Sequence, residues 1–251
     1  MVVIRKGQMA AFEKTGLARF EAWVLAHLQE HFPKPCELAG EDQVRKLIRL
    51  GTAASAELGF TTRHEICLYA DLMVLLGCGF ATDPQFPWAA DLLRKDNQPN
   101  ATLRIDATYD RAMQYLDAVV GRSNVFPVAV LRRARLYTLE ALRSRFVGKV
   151  IRDAMGLFAE LWPQKHAYVT ETALGRLVAQ GYKSAKGYGL SSEPDVGVFA
   201  AFMFLLGHQF DADPMHPWAS AALSDKSVAD PSEKLRRLHA EGMKVLDKVA
   251  S

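Results

Sequence analysis

The stretch Gly77-Cys78-Gly79-Phe80-Ala81-Thr82-Asp83-Pro84-Gln85-Phe86-Pro87-Trp88-Ala89 is present twice in this chain. It returns as Gly207-His208-Gln209-Phe210-Asp211-Ala212-Asp213-Pro214-Met215-His216-Pro217-Trp218-Ala219, aligned without a gap at an offset of 130 residues. The same offset pairs Pro33 with Pro163, Leu47 with Leu177, Gly51 with Gly181, Met73 with Met203, Leu93 with Leu223 and Leu116 with Leu246. The reading that follows is a tandem duplication: one helical unit over residues 1–120, a second over 128–251, joined through 121–127. That joint is short and only partly polar, so the two units are expected to pack as one globule.

The repeated stretch reads as a structural corner. An apolar run, Ile66 to Leu76, leads into Gly77, and glycine readily takes the backbone conformation that closes a helix. Asp83-Pro84 starts a turn, because the carboxylate accepts a nearby backbone N–H and proline fixes φ. Pro87 suits the first position of a short helix, where its missing N–H costs nothing. Phe80 and Trp88 are expected to clamp this corner from two sides, as Phe210 and Trp218 are around Asp213, Pro214 and Pro217.

Composition narrows the class. The chain has 251 residues, 49% hydrophobic and 24% charged, as in ordinary globular proteins. No stretch approaches the ~20 apolar residues of a membrane span. The start Met1-Val2-Val3-Ile4-Arg5-Lys6 lacks a signal peptide's apolar core. Three cysteines without metal-type spacing predict reduced thiols and a cytoplasmic location. A net charge of +3 does not imply a polyanionic partner.

Helical periodicity runs throughout, and no strand pattern emerges, so the fold class is all-α: a helical bundle repeated with an approximate two-fold relation. Helices are expected at 7–31, ended by Phe32-Pro33-Lys34-Pro35, then at 42–58 and 63–76. Thr62 and Glu65 form a capping box at the start of the third, with Ser192 and Asp195 as a weaker copy. Further helices are expected after Asn100, over 128–161, and at 170–182, 193–206, 217–224 and 231–249. Tyr182 to Gly189 is expected to be a loop.

Three groups of residues invite a chemical reading. His208, Asp211, Asp213 and His216 carry donors suited to a transition metal. Their counterparts are Cys78, Ala81, Asp83 and Phe86, so the corner folds without such a set, and no metal or cofactor is expected. His27 and His31 lie one turn apart, but HExxH is absent and their counterparts are Leu157 and Leu161. The segment 131–152 carries Arg132, Arg133, Arg135, Arg143, Arg145, Lys149 and Arg152 against one acid, Glu140. Such a stripe attracts an acidic partner through its field; nucleic acid ranks lower, since no aromatics interleave the arginines. No nucleophile elbow, phosphate-cradling loop or other catalytic motif is found, so the chain reads as no enzyme.

Val3-Ile4-Arg5-x-x-Gln8-Met9, Tyr69-x-Asp71-Leu72-Met73 and Phe80-x-x-Asp83-Pro84-x-x-Pro87-Trp88-Ala89 resemble small helical bacterial proteins encoded beside type VI secretion effector and spike genes. The resemblance covers the first 95 residues and departs at Ala81, where an aspartate such as Asp211 is expected. It implies a cytoplasmic accessory, adaptor or immunity protein that binds a bacterial toxin or effector. The expected function is therefore protein binding by occlusion or delivery, with Arg132, Arg135, Arg143, Arg145, Lys149 and Arg152 as the partner surface. The alternative is a metal or small-molecule binder using the groove between the two repeats.

Overall fold

The computed structural model describes the backbone of residues 6–121 and 125–250, and side chains from Thr15 onward except Ala250. Residues 122–124 of the expected joint, and the side chains of Val3, Ile4, Arg5, Gln8 and Met9, lie outside the described residues. Everything described is helix or connection, without strand.

Helix α1 (Lys6–His31) is followed at once by α2 (Pro33–Ala39), with Pro33 in its first turn. The Phe-Pro-Lys-Pro run thus ends one helix and opens another, because proline at an N-terminus forfeits no intrahelical bond. Gly40, at φ 86°, turns the chain into α3 (Glu41–Glu57), whose first turn carries Glu41 and Asp42 against the positive end of the helix dipole. Helix α4 (Arg63–Leu76) opens with the expected capping box. Glu65 N donates to Thr62 Oγ1 at 3.3 Å, and Thr62 N to Glu65 Oε2 at 2.9 Å. After the corner come α5 (Pro87–Leu93) and α6 (Ala101–Val120), the latter capped by Asn100.

The second half opens differently. In place of one helix over 128–161 there are three: α7 (Val125–Ala134), α8 (Leu139–Arg143) and α9 (Val150–Leu161). Thr138 caps α8 afresh by accepting from Ala141 N, and Gly148 at φ 98° breaks the chain before α9. The break lets Phe146 fold back so that its ring lies directly over Gly197. Then follow α10 (Pro163–Tyr168), α11 (Glu171–Gly187), α12 (Glu193–Leu206), α13 (Pro217–Ser224) and α14 (Pro231–Ala250). Helix α11 runs through the expected loop at 182–189, since buried Ala185 holds its last turn in the core and Gly189, at φ 83°, lies just beyond its end. Ser192 caps α12, but Asp195 turns away to pair with Arg143, so no reciprocal box forms.

Both ends of α3, α4 and α6 recur 130 residues later in α11, α12 and α14. Helix α4 packs against α3 and α6, and α12 against α9 and α11. Each is buried on most faces, as its apolar sequence requires. Among the described residues, no helix is long and apolar enough to cross a membrane.

The two corners meet. Asp83 Oδ2 accepts from His208 N at 2.7 Å, and Asp213 Oδ2 accepts from Cys78 N at 2.8 Å. Each carboxylate also holds its own turn, through Gln85 N and Met215 N, both at 2.8 Å. The approach is close: a Cβ on Gly77 would sit 3.0 Å from Leu206 O, and one on Gly207 2.8 Å from Leu76 O. Phe80 packs on Tyr69, with ring centroids 5.0 Å apart, and Trp88 on Phe86 at 5.8 Å. In the second corner Phe210 packs on Phe199 at 5.0 Å, and Trp218 on His216 at 6.1 Å. Phe210 and Trp218 also share a neighbour, Phe202 of α12, at 5.6 and 6.2 Å.

Candidate functional site

Two connected hollows flank the corner junction. One, of about 270 Å³, lies among α7, α8, α9, α12, α13 and α14 and is almost wholly apolar, with Val130, Phe202, Trp218 and Met243 among its walls. The other, of about 330 Å³, runs from Pro35 and Leu38 on α2 past the corners to Val245 and Val249 on α14. Leu131, Trp162, Leu205, His216 and Trp218 border both.

The sequence accounts for these hollows. Buried Phe86 and Tyr115, with ring centroids 5.0 Å apart, fill the first half, and Tyr115 meets Tyr168 of α10 edge-on at 5.3 Å. The residues 130 further on from Phe86, Ala112 and Tyr115 are His216, Gly242 and Val245, all smaller. On the covering helix, Lys165 and Tyr168 correspond to Pro35 and Leu38. Side chains that close the α6–α10 junction are therefore missing from the α2–α14 junction, and space opens there.

Two charged side chains, Lys165 and Asp213, border the larger hollow. Lys165 is buried among Phe86, Trp162 and Phe204, its Nζ 4.9 Å from the centroid of the last, and it donates to Phe204 O. Burial pushes its amine down to about 8, partly offset by the attraction of Asp83. Burial raises Asp83 in turn, opposed by the amides of His208 and Gln85. His216 is pushed down by burial, which favours its neutral ring despite nearby Asp213.

The quartet at the second corner does not converge on a metal. Asp213 is engaged by two backbone amides, and Asp211 accepts from the Tyr188 hydroxyl at 2.7 Å. Among the described residues one different group brings metal-type donors together, His27 with Cys67 and Asp71. His27 and His31 were visible in the sequence as a pair; Cys67 and Asp71 were not, because α4 supplies them from another part of the chain.

The basic residues are spread over α7, α8, the turn after it and α9. Several have partners: Arg143 with Asp195 at 2.8 Å, Arg135 with Asp247 at 2.8 Å, Arg152 with Asp153 at 2.8 Å, and Arg145 with Glu160. Arg132 and Lys149 are exposed. Apolar side chains share this surface. Leu136 is 81% exposed, Val147 74% and Val125 60%, with Val128 and Ile151 also open to solvent. Ile151, Met155 and Tyr182 line a shallow cleft with Lys149, Arg152 and Glu171. Comparison with protein families, curated proteins and solved structures gives no match to this chain.

Proposed function

We propose that the protein is a binding protein whose ligand is another protein, docked on residues 125–152 and the cleft beside them. The observation that supports this is the concentration of exposed apolar side chains there: five of the eleven large ones among the described residues, namely Val125, Val128, Leu136, Val147 and Ile151. Large apolar side chains left open together, with Arg, Tyr and Met beside them, are the composition of interface cores. The exposed cations Arg132 and Lys149 add positive charge, so the partner presents carboxylates. The resemblance of the first 95 residues to proteins encoded beside type VI secretion genes supplies the class of partner, a toxin or effector held before export or blocked on arrival in the cytoplasm. Occlusion or delivery through surface fit needs no catalytic group.

The test is affinity for a type VI effector that binds the unmodified chain. Arg132→Glu and Lys149→Glu together are expected to weaken it at least tenfold, with the melting temperature retained; unchanged affinity removes this surface. Arg143 is spared because it holds Asp195.

A tandem duplication packed with approximate two-fold symmetry is part of this reading. The recurring helix bounds and the exchanged aspartate–amide bonds support it. An experimental structure in which residues 33–120 and 163–250 fail to superpose would refute it.

The apolar hollows favour a second reading, a small amphiphile between α2 and α14. Hollows of this size suit small ligands, with few polar groups to orient them. The His216→Phe/Val245→Tyr variant restores the residue types found in the first half. It is expected to abolish displacement of a bound anilinonaphthalene dye by dodecanoate. Equal displacement in both proteins rules this reading out.

A further inference from the structure

The cluster on α1 and α4 has chemistry that the protein-binding surface does not use. His27 Nε2 lies 3.0 and 3.2 Å from the two carboxylate oxygens of Asp71. Asp71 is 5% exposed in the middle of α4, and Cys67 lies one turn before it, 6% exposed. The ligand atoms of His27, Cys67 and Asp71 all fall within 4.8 Å of one another. His31 stacks on His27 with ring centroids 4.2 Å apart, its Nδ1 3.0 Å from His27 O. A proton on that Nδ1 donates to the carbonyl, leaving Nε2 as a free donor at the exposed edge. This is the outer-shell arrangement that orients metal-bound histidines.

The residues 130 positions later are Leu157, Leu161, Gly197 and Ala201. All four donors of the first half are absent there together, and that face is buried and apolar. Leu157 is fully buried, Leu161 is 2% exposed, and Phe146 packs over Gly197. A lone buried ion pair needs only His27 and Asp71. It gives no reason for a thiol in the same hollow, nor for a second imidazole at its mouth.

We infer that His27, Cys67 and Asp71 form a binding site for zinc or a similar divalent transition metal, with water or His31 in the fourth position. Imidazole, thiolate and carboxylate are the donors such ions take in four-coordinate sites. Bonds of about 2.0–2.3 Å require ligand atoms roughly 3.5 Å apart, so a small inward rotation of side chains completes the set. Binding replaces the Cys67 S–H proton by metal and releases it to solvent. Because a proton is released, metal binding here strengthens as pH rises.

Cobalt(II), titrated into the full metal-free chain, is the probe. One equivalent is expected to give the intense visible bands of a tetrahedral site and a thiolate-to-cobalt charge-transfer band, both displaced by zinc. Cys67→Ser should remove the charge-transfer band. His27→Leu/Asp71→Ala, which installs the pair found at 157 and 201, should lose binding while keeping the helical circular dichroism and the melt. Exposed His64→Ala is the control that binds normally. The absence of a cobalt spectrum at stoichiometric metal, or a charge-transfer band that survives Cys67→Ser, overturns the inference.

Discussion

Lys165 reaches a core of aromatic faces because Asp83, 82 positions earlier in the chain, lends it a counter-charge and Phe204 O accepts its proton. The consequence is a dependence of stability on pH. Below about 8 the amine is charged in both the folded and unfolded chain, and the folded state bears the cost of a buried cation. Between about 8 and the unfolded value of 10.5 the folded state has lost the proton while the unfolded state still binds it. Stability contributed by this group therefore rises with pH across that window, by at most about 3 kcal/mol. Lys165→Met lacks the effect. The buried tyrosines and thiols, whose raised values act in the opposite direction, are common to both proteins and cancel. Urea midpoints measured at pH 7 and pH 10 should differ more favourably for wild type than for Lys165→Met; parallel behaviour would count against a titrating Lys165.

At the scale of the element, helix α14 has the length and bounds of α6 but not its side chains. Tyr115 closes the first half where Val245 leaves space in the second. Filling that space through His216→Phe/Val245→Tyr is expected to raise stability by about 1–2 kcal/mol, as cavity filling commonly does. Calorimetry checks it, and a fall in the melting temperature would mean that the walls cannot accept the rings. Elements with strong local signals were legible in the sequence. The capping box fixed the start of α4, and the glycines fixed the ends of α4 and α12. Helices α7 to α9 were not, since their apolar spacing is compatible with one continuous helix. What breaks it is first the fresh cap at Thr138, and then Gly148 together with the burial of Phe146 against α12, a contact about fifty residues away in sequence. The candidate sites divide in the same way. His27 and His31 announce themselves by spacing, whereas Cys67 and Asp71 join them only once α1 lies on α4. The arginines of 131–152 were legible as charge, but their pairing with Asp195, Glu160 and Asp247 depends on tertiary structure.

Across the whole molecule, the corners do more than turn the chain. Asp83 and Asp213 each satisfy an amide in the opposite half, and the glycines let the two backbones approach. Gly207→Ala places a Cβ 2.8 Å from Leu76 O at a φ of 100°, where neither backbone can yield cheaply. A loss of about 2 kcal/mol or more is expected, and calorimetry should show the single transition of the wild type broadening or splitting as the halves uncouple. A loss within experimental error would show that the junction is soft. The exchanged bonds also bear on what a fragment of this gene would encode. Residues 128–251 expressed alone would carry Asp213 without the Cys78 amide, and a His208 amide without Asp83. A second copy of the same fragment offers both. A pair of identical fragments, each lending its aspartate to the other, would therefore restore both bonds of the seam without the first half.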